Sequence, residues 1–148
     1  MRLHDSATIL MVEDDPGHAR LIERNLRRAG VTQELTRIED GQQALDYFFA
    51  EDGAVGPPAH DTPLLVLLDL NLPGADGSTV LERLKTDDHT KHIPVFILSS
   101  TEEPRDIKRC YRLGCSAYLV KPVDYEQFAD AIHRLGLFVL VAKVPTGG

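Results

Sequence analysis

The chain is predicted to be an α/β domain built on a parallel β-sheet with helices on both faces. Three observations lead there. Short apolar runs without alternation recur at 8–12 (TILMV), 64–68 (LLVLL), 95–98 (VFIL) and 117–120 (AYLV), the pattern of strands buried on both faces. Segments with apolar residues at helical spacing separate them, so strand and helix alternate along the chain. Each run also stops abruptly at polar residues that carry chemistry: Glu13, Asp14 and Asp15, then Asp69, Ser99 and Lys121.

The first run leads into Asp15-Pro16, which reads as a helix start with Asp as the cap and Pro at the first helical position. Leu21, Ile22, Leu26 and Ala29 repeat at helical spacing, Arg20, Arg24, Arg27 and Arg28 crowd the other side, and Gly30 is the expected stop. Residues 33–38 alternate weakly and suit a strand nearer the sheet edge. Glu39, Asp40 and Gly41 lead into a helix carrying Ala44, Leu45, Phe48 and Phe49. Residues 51–63 turn polar and rich in Pro and Gly, a loop. After the strand ending at Asp69 come Asn71, Pro73, Gly74, Asp76 and Gly77, then a helix over 78–85 with Val80, Leu81 and Leu84 inward. Residues 87–92 connect to the strand ending at Ser99. Pro104 opens a helix with Ile107 and Tyr111 one turn apart, closed by Gly114. The strand at 117–120 ends in Lys121-Pro122. Asp124 then caps a helix with Phe128, Ile132 and Leu135, followed by an apolar stretch at 137–144 and a Pro/Gly tail. Strand followed by helix, five times over, closes into one parallel sheet through right-handed crossovers.

A length of 148 residues suits one domain with a proper core. The formal net charge of −7 argues against a general nucleic-acid surface. Cys110 and Cys115 have neither a metal nor a redox spacing, and a reducing cytoplasmic setting fits them. The opening residues do not read as a secretory leader, and the apolar runs are too short to span a bilayer. The six histidines are scattered and form no ligand pair. No Gly-rich phosphate loop follows the first strand, which disfavours a nucleotide-binding fold.

The strand-end groups fall on one edge of such a sheet, where open α/β folds bind ligands. Acids at the ends of neighbouring strands repel one another unless a cation sits between them, and a hard divalent ion such as Mg²⁺ takes such oxygens. A carboxylate beside Mg²⁺, a hydroxyl and an ammonium is equipped for phosphoryl transfer, with Asp69 as nucleophile.

The motifs VEDDP at 12–16, LLDLNLPGADG at 67–77, LSST at 98–101 and YLVKP at 118–122 resemble the receiver domains of two-component response regulators. The resemblance covers residues 8 to about 135 and implies the flavodoxin-like strand order 2-1-3-4-5. It further implies that Asp69 accepts a phosphoryl group from a phosphohistidine on a sensor histidine kinase. Asp14 and Asp69 would hold Mg²⁺ (Mn²⁺ or Ca²⁺ as substitutes) by carboxylate and Asn71 by its backbone carbonyl, while Glu13 acts through a water on the ion. Ser99 would bond a phosphoryl oxygen, Lys121 would pair with the phosphoryl group across a cis Lys121-Pro122 bond, and Tyr118 would be the switch aromatic. Such a protein is a switch whose own phosphorylation and dephosphorylation are its only chemistry.

The resemblance sets residues 1–136 as a receiver and 137–148 as a C-terminal extension, without a DNA-binding output domain. The DLNLPG motif, the Pro-containing loop before the Asp69 strand and the apolar extension are similar to phytochrome-associated response regulators. That implies a light-sensing kinase, a bacteriophytochrome, as partner, with a histidine phosphotransfer protein as a further candidate. The extension, nearly uncharged and apolar, needs cover, which points to a homodimer through the last helix and the extension. Two alternatives compete: a receiver-like scaffold that never takes phosphate, and an aspartyl-phosphate phosphatase of the haloacid-dehalogenase type. The latter needs an acid where this chain has Asn71.

Overall fold

The computed structural model describes residues 8–49 and 64–121, with Glu126, Asp130 and His133 beyond them. The elements run β1 (Thr8–Val12), α1 (Pro16–Arg28), β2 (Glu34–Ile38), α2 (Gly41–Phe49), β3 (Leu64–Asp69), α3 (Gly77–Thr86), β4 (Val95–Ser99), α4 (Pro104–Leu113) and β5 (Ala117–Val120). The five strands are all parallel in the order β2-β1-β3-β4-β5, as expected. Glu126, Asp130 and His133 are helical, at the predicted fifth helix. The predicted loop at 51–63, the Lys121-Pro122 peptide bond, the rest of that helix and the extension after it lie outside the described residues. Among the described residues no helix is long and apolar enough to cross a membrane.

The sheet divides the core in two because successive strand residues face opposite sides. Leu10, Val12, Val66, Leu68, Val95 and Ile97 pack against Ala44 and Phe48 of α2, Val80, Leu81 and Leu84 of α3, and Cys110 of α4. Ile9, Met11, Leu65, Leu67, Phe96 and Leu98 pack against Ala19, Leu21, Ile22 and Leu26 of α1. Burial on both faces explains why these strands read as unbroken apolar runs.

Local signals set the helix ends. The Asp15 carboxylate accepts the backbone N–H groups of Gly17 and His18, with Pro16 just inside the helix, and Asp40 accepts the N–H of Gln43. Asp76 caps α3 through the N–H of Ser78, one residue earlier than the predicted start. Gly114 ends α4 at φ 110°, in the left-handed region that glycine alone adopts freely. α4 departs from the reading in one respect: it buries Cys110, while Tyr111 is 51% exposed. Both cysteines are free and buried.

The start of α3 lies against the end of β3. A Cβ on Gly77 would meet the Asp69 carbonyl oxygen and lie 2.6 Å from Leu70 Cα, and backbone cannot yield as a flexible side chain can. Gly77→Ala is expected to destabilise the fold by about 1–3 kcal/mol. Denaturant unfolding followed by circular dichroism checks this.

Candidate functional site

Strand register builds the site. Val12 of β1 lies opposite Leu68 of β3, Asp69 opposite Leu98 of β4, and Ser99 opposite Val120 of β5. Each predicted site residue except Tyr118 is therefore at or just past the last paired position, on one rim. The acids are gathered there: ligand oxygens of Glu13, Asp14 and Asp69 all lie within 4.8 Å of one another.

Lys121 ties two of these acids together. Its Nζ donates to Glu13 Oε1 at 2.6 Å and to Asp69 Oδ2 at 2.7 Å. The other Asp69 oxygen, Oδ1, accepts the Asn71 N–H at 2.9 Å. That turn holds the carboxylate at the strand end and explains Asn71's place two residues on. Glu13 is 1% exposed, and its Oε2 accepts the Asp15 N–H at 3.2 Å. Asp14 is exposed. Three carboxylates face one ammonium, an excess of negative charge made entirely of hard oxygen donors, and the donor set fits Mg²⁺ or Mn²⁺.

Burial pushes the Glu13 carboxyl up to about 7, against the pull of Lys121 and the Asp15 N–H, with Asp69 adding to the rise. For Lys121 burial alone would lower the pKa, but hydrogen bonds to Asp69 and Glu13 and their charges carry it above the usual lysine value. A divalent ion among these acids is held more tightly with Glu13 ionised, so metal affinity is expected to rise as pH increases through about 7. Calorimetric Mn²⁺ titrations across that range check this; Glu13→Gln should flatten the dependence.

Ser99 is fully buried, and its Oγ accepts the Thr101 N–H at 3.2 Å. Tyr118 is half-buried against the core and donates its hydroxyl to the Thr101 carbonyl at 2.9 Å. Burial raises the Tyr118 hydroxyl pKa, and a hydrogen bond with Ser99 works against that rise. Ser99, Thr101 and Tyr118 thus form one connected group behind the acidic rim. Thr101 also accepts the Glu103 N–H and donates to Asp106 Oδ2 at 3.4 Å, which links the group to α4.

Two residues of the site carry no sequence assignment. Arg37 of β2 donates from Nε to the Glu13 carbonyl at 3.0 Å and from Nη2 to the Asp14 carbonyl at 3.2 Å. It braces the backbone that presents both acids, from a strand adjacent only in space. His18, in the first turn of α1, brings Nδ1 to 3.5 Å from Lys121 Nζ and 3.9 Å from Glu13 Oε1. The cap at Asp15 was the available signal for His18, because it aims the first turn of α1 at the rim. Arg37 had none.

Residues 9–133 match the response regulator receiver domain family. The chain belongs to that family. The response regulator Rcp1 of Synechocystis is 34% identical over 132 residues, 89% of this chain and 88% of Rcp1. A Mn²⁺-bound structure of Rcp1 superposes with a TM-score of 0.82 at 27% identity, covering 94% of this chain and 99% of that one. A receiver domain from Rhodospirillum rubrum gives a TM-score of 0.89 at 50% identity, covering 95% and 99%. The phosphorylated cyanobacterial phytochrome response regulator RcpA gives 0.80 at 34% identity, covering 94% and 98%. The flavodoxin-like receiver fold and the likeness to phytochrome-associated response regulators expected above are therefore both found.

Proposed function

We propose that Asp69 is the phosphoacceptor of a switch driven by a sensor histidine kinase, with a bacteriophytochrome as the kinase. The observation that carries this reading is Lys121 Nζ held between Asp69 Oδ2 and Glu13 Oε1, with Asp14 completing the acidic rim. An Asp69 oxygen attacks phosphorus, the bond from phosphorus to the kinase imidazole nitrogen breaks, and its electron pair stays on that nitrogen. Lys121, already on Asp69, moves to pair with an oxygen of the incoming group. Glu13, Asp14, Asp69 and the Asn71 carbonyl would hold Mg²⁺, which when bound offsets negative charge on the phosphoryl oxygens.

The Ser99 hydroxyl turns from Thr101 to the new phosphoryl oxygen, and Tyr118 follows it inward. Rearranged packing then changes protein–protein binding, the output of this cytoplasmic protein. A homodimer through the last helix and the extension, and onward transfer to a histidine phosphotransfer protein, belong to the same reading. The Mn²⁺-bound Rcp1 and phosphorylated RcpA support the metal and the phosphoryl group, and RcpA supports the light-sensing partner. Intact mass after incubation with acetyl phosphate tests the core of it: a single phosphoryl adduct is expected with Mg²⁺ and none after chelation. Absence of any adduct would overturn the reading.

A further inference from the structure

The phosphoacceptor reading makes no use of the outer face of α4. Arg105, Lys108, Arg109 and Arg112 stand at i, i+3, i+4 and i+7, so they share one face of the helix. All four are exposed, and among the described residues none has an ion-pair partner. With Leu113 and with Glu82 of α3 they line an open groove between the two helices. The chain as a whole is strongly acidic, with a net charge of −7. Four cations within one ten-residue helix, without ion-pair partners among the described residues, make a basic stripe on an acidic protein.

We propose that this α3–α4 groove is a docking surface for an acidic segment of a partner protein. Three arginines supply planar forks that match carboxylates, and Leu113 supplies an apolar wall for a side chain between them. From Arg105 to Arg112 the helix rises about 10.5 Å, the length of about three residues of extended chain. A nucleic acid fits less well: it needs a broad basic face, and here four cations lie along one helix over about 10.5 Å. Glu82, in the same lining, offers an acceptor for peptide backbone N–H groups, which a phosphodiester backbone does not have.

Fluorescence anisotropy with a short fluorescein-labelled peptide of glutamate and leucine tests the surface. Wild-type protein is expected to bind, with affinity falling as salt rises. Both R105E/R109E/R112E and the neutral R105Q/R109Q/R112Q should weaken binding at least about tenfold. The charge-matched α1 variant R20E/R24E/R28E should change it by no more than about twofold. Absence of peptide binding, an equal loss in the α1 variant, or tighter binding of an oligothymidylate of equal charge would overturn the proposal. The α4 variants should still form the acetyl-phosphate adduct. Failure of that chemistry in wild-type protein would count against the phosphoacceptor and not against the groove.

Discussion

Asp69→Asn is expected to abolish the phosphoryl adduct completely while leaving the protein folded. The neutral amide oxygen has no negative charge and shares its electron density with the amide nitrogen, so it is too weak a nucleophile to attack phosphorus. Little else changes at the position: the amide oxygen can still accept the Asn71 N–H now bound by Oδ1, and Lys121 keeps Glu13. Stability should shift by no more than about 1 kcal/mol. The variant also removes a negative charge that raises the Glu13 carboxyl, so Glu13 should ionise at lower pH. Intact mass with acetyl phosphate and Mg²⁺ gives the first result, denaturant unfolding the second. An adduct that survives on the Asn variant would place the acceptor elsewhere and sink the assignment.

Lys121→Ala is expected to cost the fold about 3–5 kcal/mol in the absence of a divalent ion on the alkaline side of 7. The reason is what remains: Glu13 and Asp69, both buried, face each other and Asp14 without a cation. The cost should depend on pH. The folded Glu13 pKa of about 7 lies above its usual 4.5, so between those values the folded state holds more protons than the unfolded chain. This group's contribution to stability therefore falls as pH rises through that window. Without Lys121 one of the forces lowering the Glu13 pKa is gone, the window extends upward, and the variant should recover stability on acidification. Saturating Mg²⁺ should restore part of it by binding only the folded state. Urea unfolding at pH values on either side of 7, with and without Mg²⁺, measures all of this. A cost independent of both pH and metal would show that Lys121 contributes packing and not charge.

The site was legible to the extent that its residues end strands. Glu13, Asp69, Ser99 and Lys121 each follow an apolar run directly, with Asp14 next after Glu13, and a buried parallel strand ends where its apolar run ends. The brace from Arg37 was not legible: an arginine in a weakly alternating segment has no local mark of the Glu13 and Asp14 carbonyls it holds. For His18 the Asp15 cap locates the first turn of α1, but a lone histidine there has no spacing that ties it to Lys121 or Glu13. Tyr111 shows the limit of periodicity within one helix. Spacing paired it with Ile107, but Cys110 is the residue α4 buries, since the direction of the helix over the sheet is set by what it packs against. The N–H of Tyr118 meets the Tyr111 hydroxyl instead.

By itself the sequence determined the alternation of strand and helix, the buried character of the central strands and the order of chemical groups along the rim. All of these depend on residues near one another in the chain, through hydrophobic runs, caps and turns. Folding in three dimensions alone places Lys121 between Glu13 and Asp69, 108 and 52 positions away, lays Arg37 against the acidic loop, and leaves four cations of α4 beside α3 with no ion-pair partner among the described residues. Those facts depend on strand order and register, which bring distant segments within a few ångströms, and on the burial that register creates. Burial also sets the Glu13 pKa, because desolvation acts on a carboxyl only once neighbouring strands have closed around it.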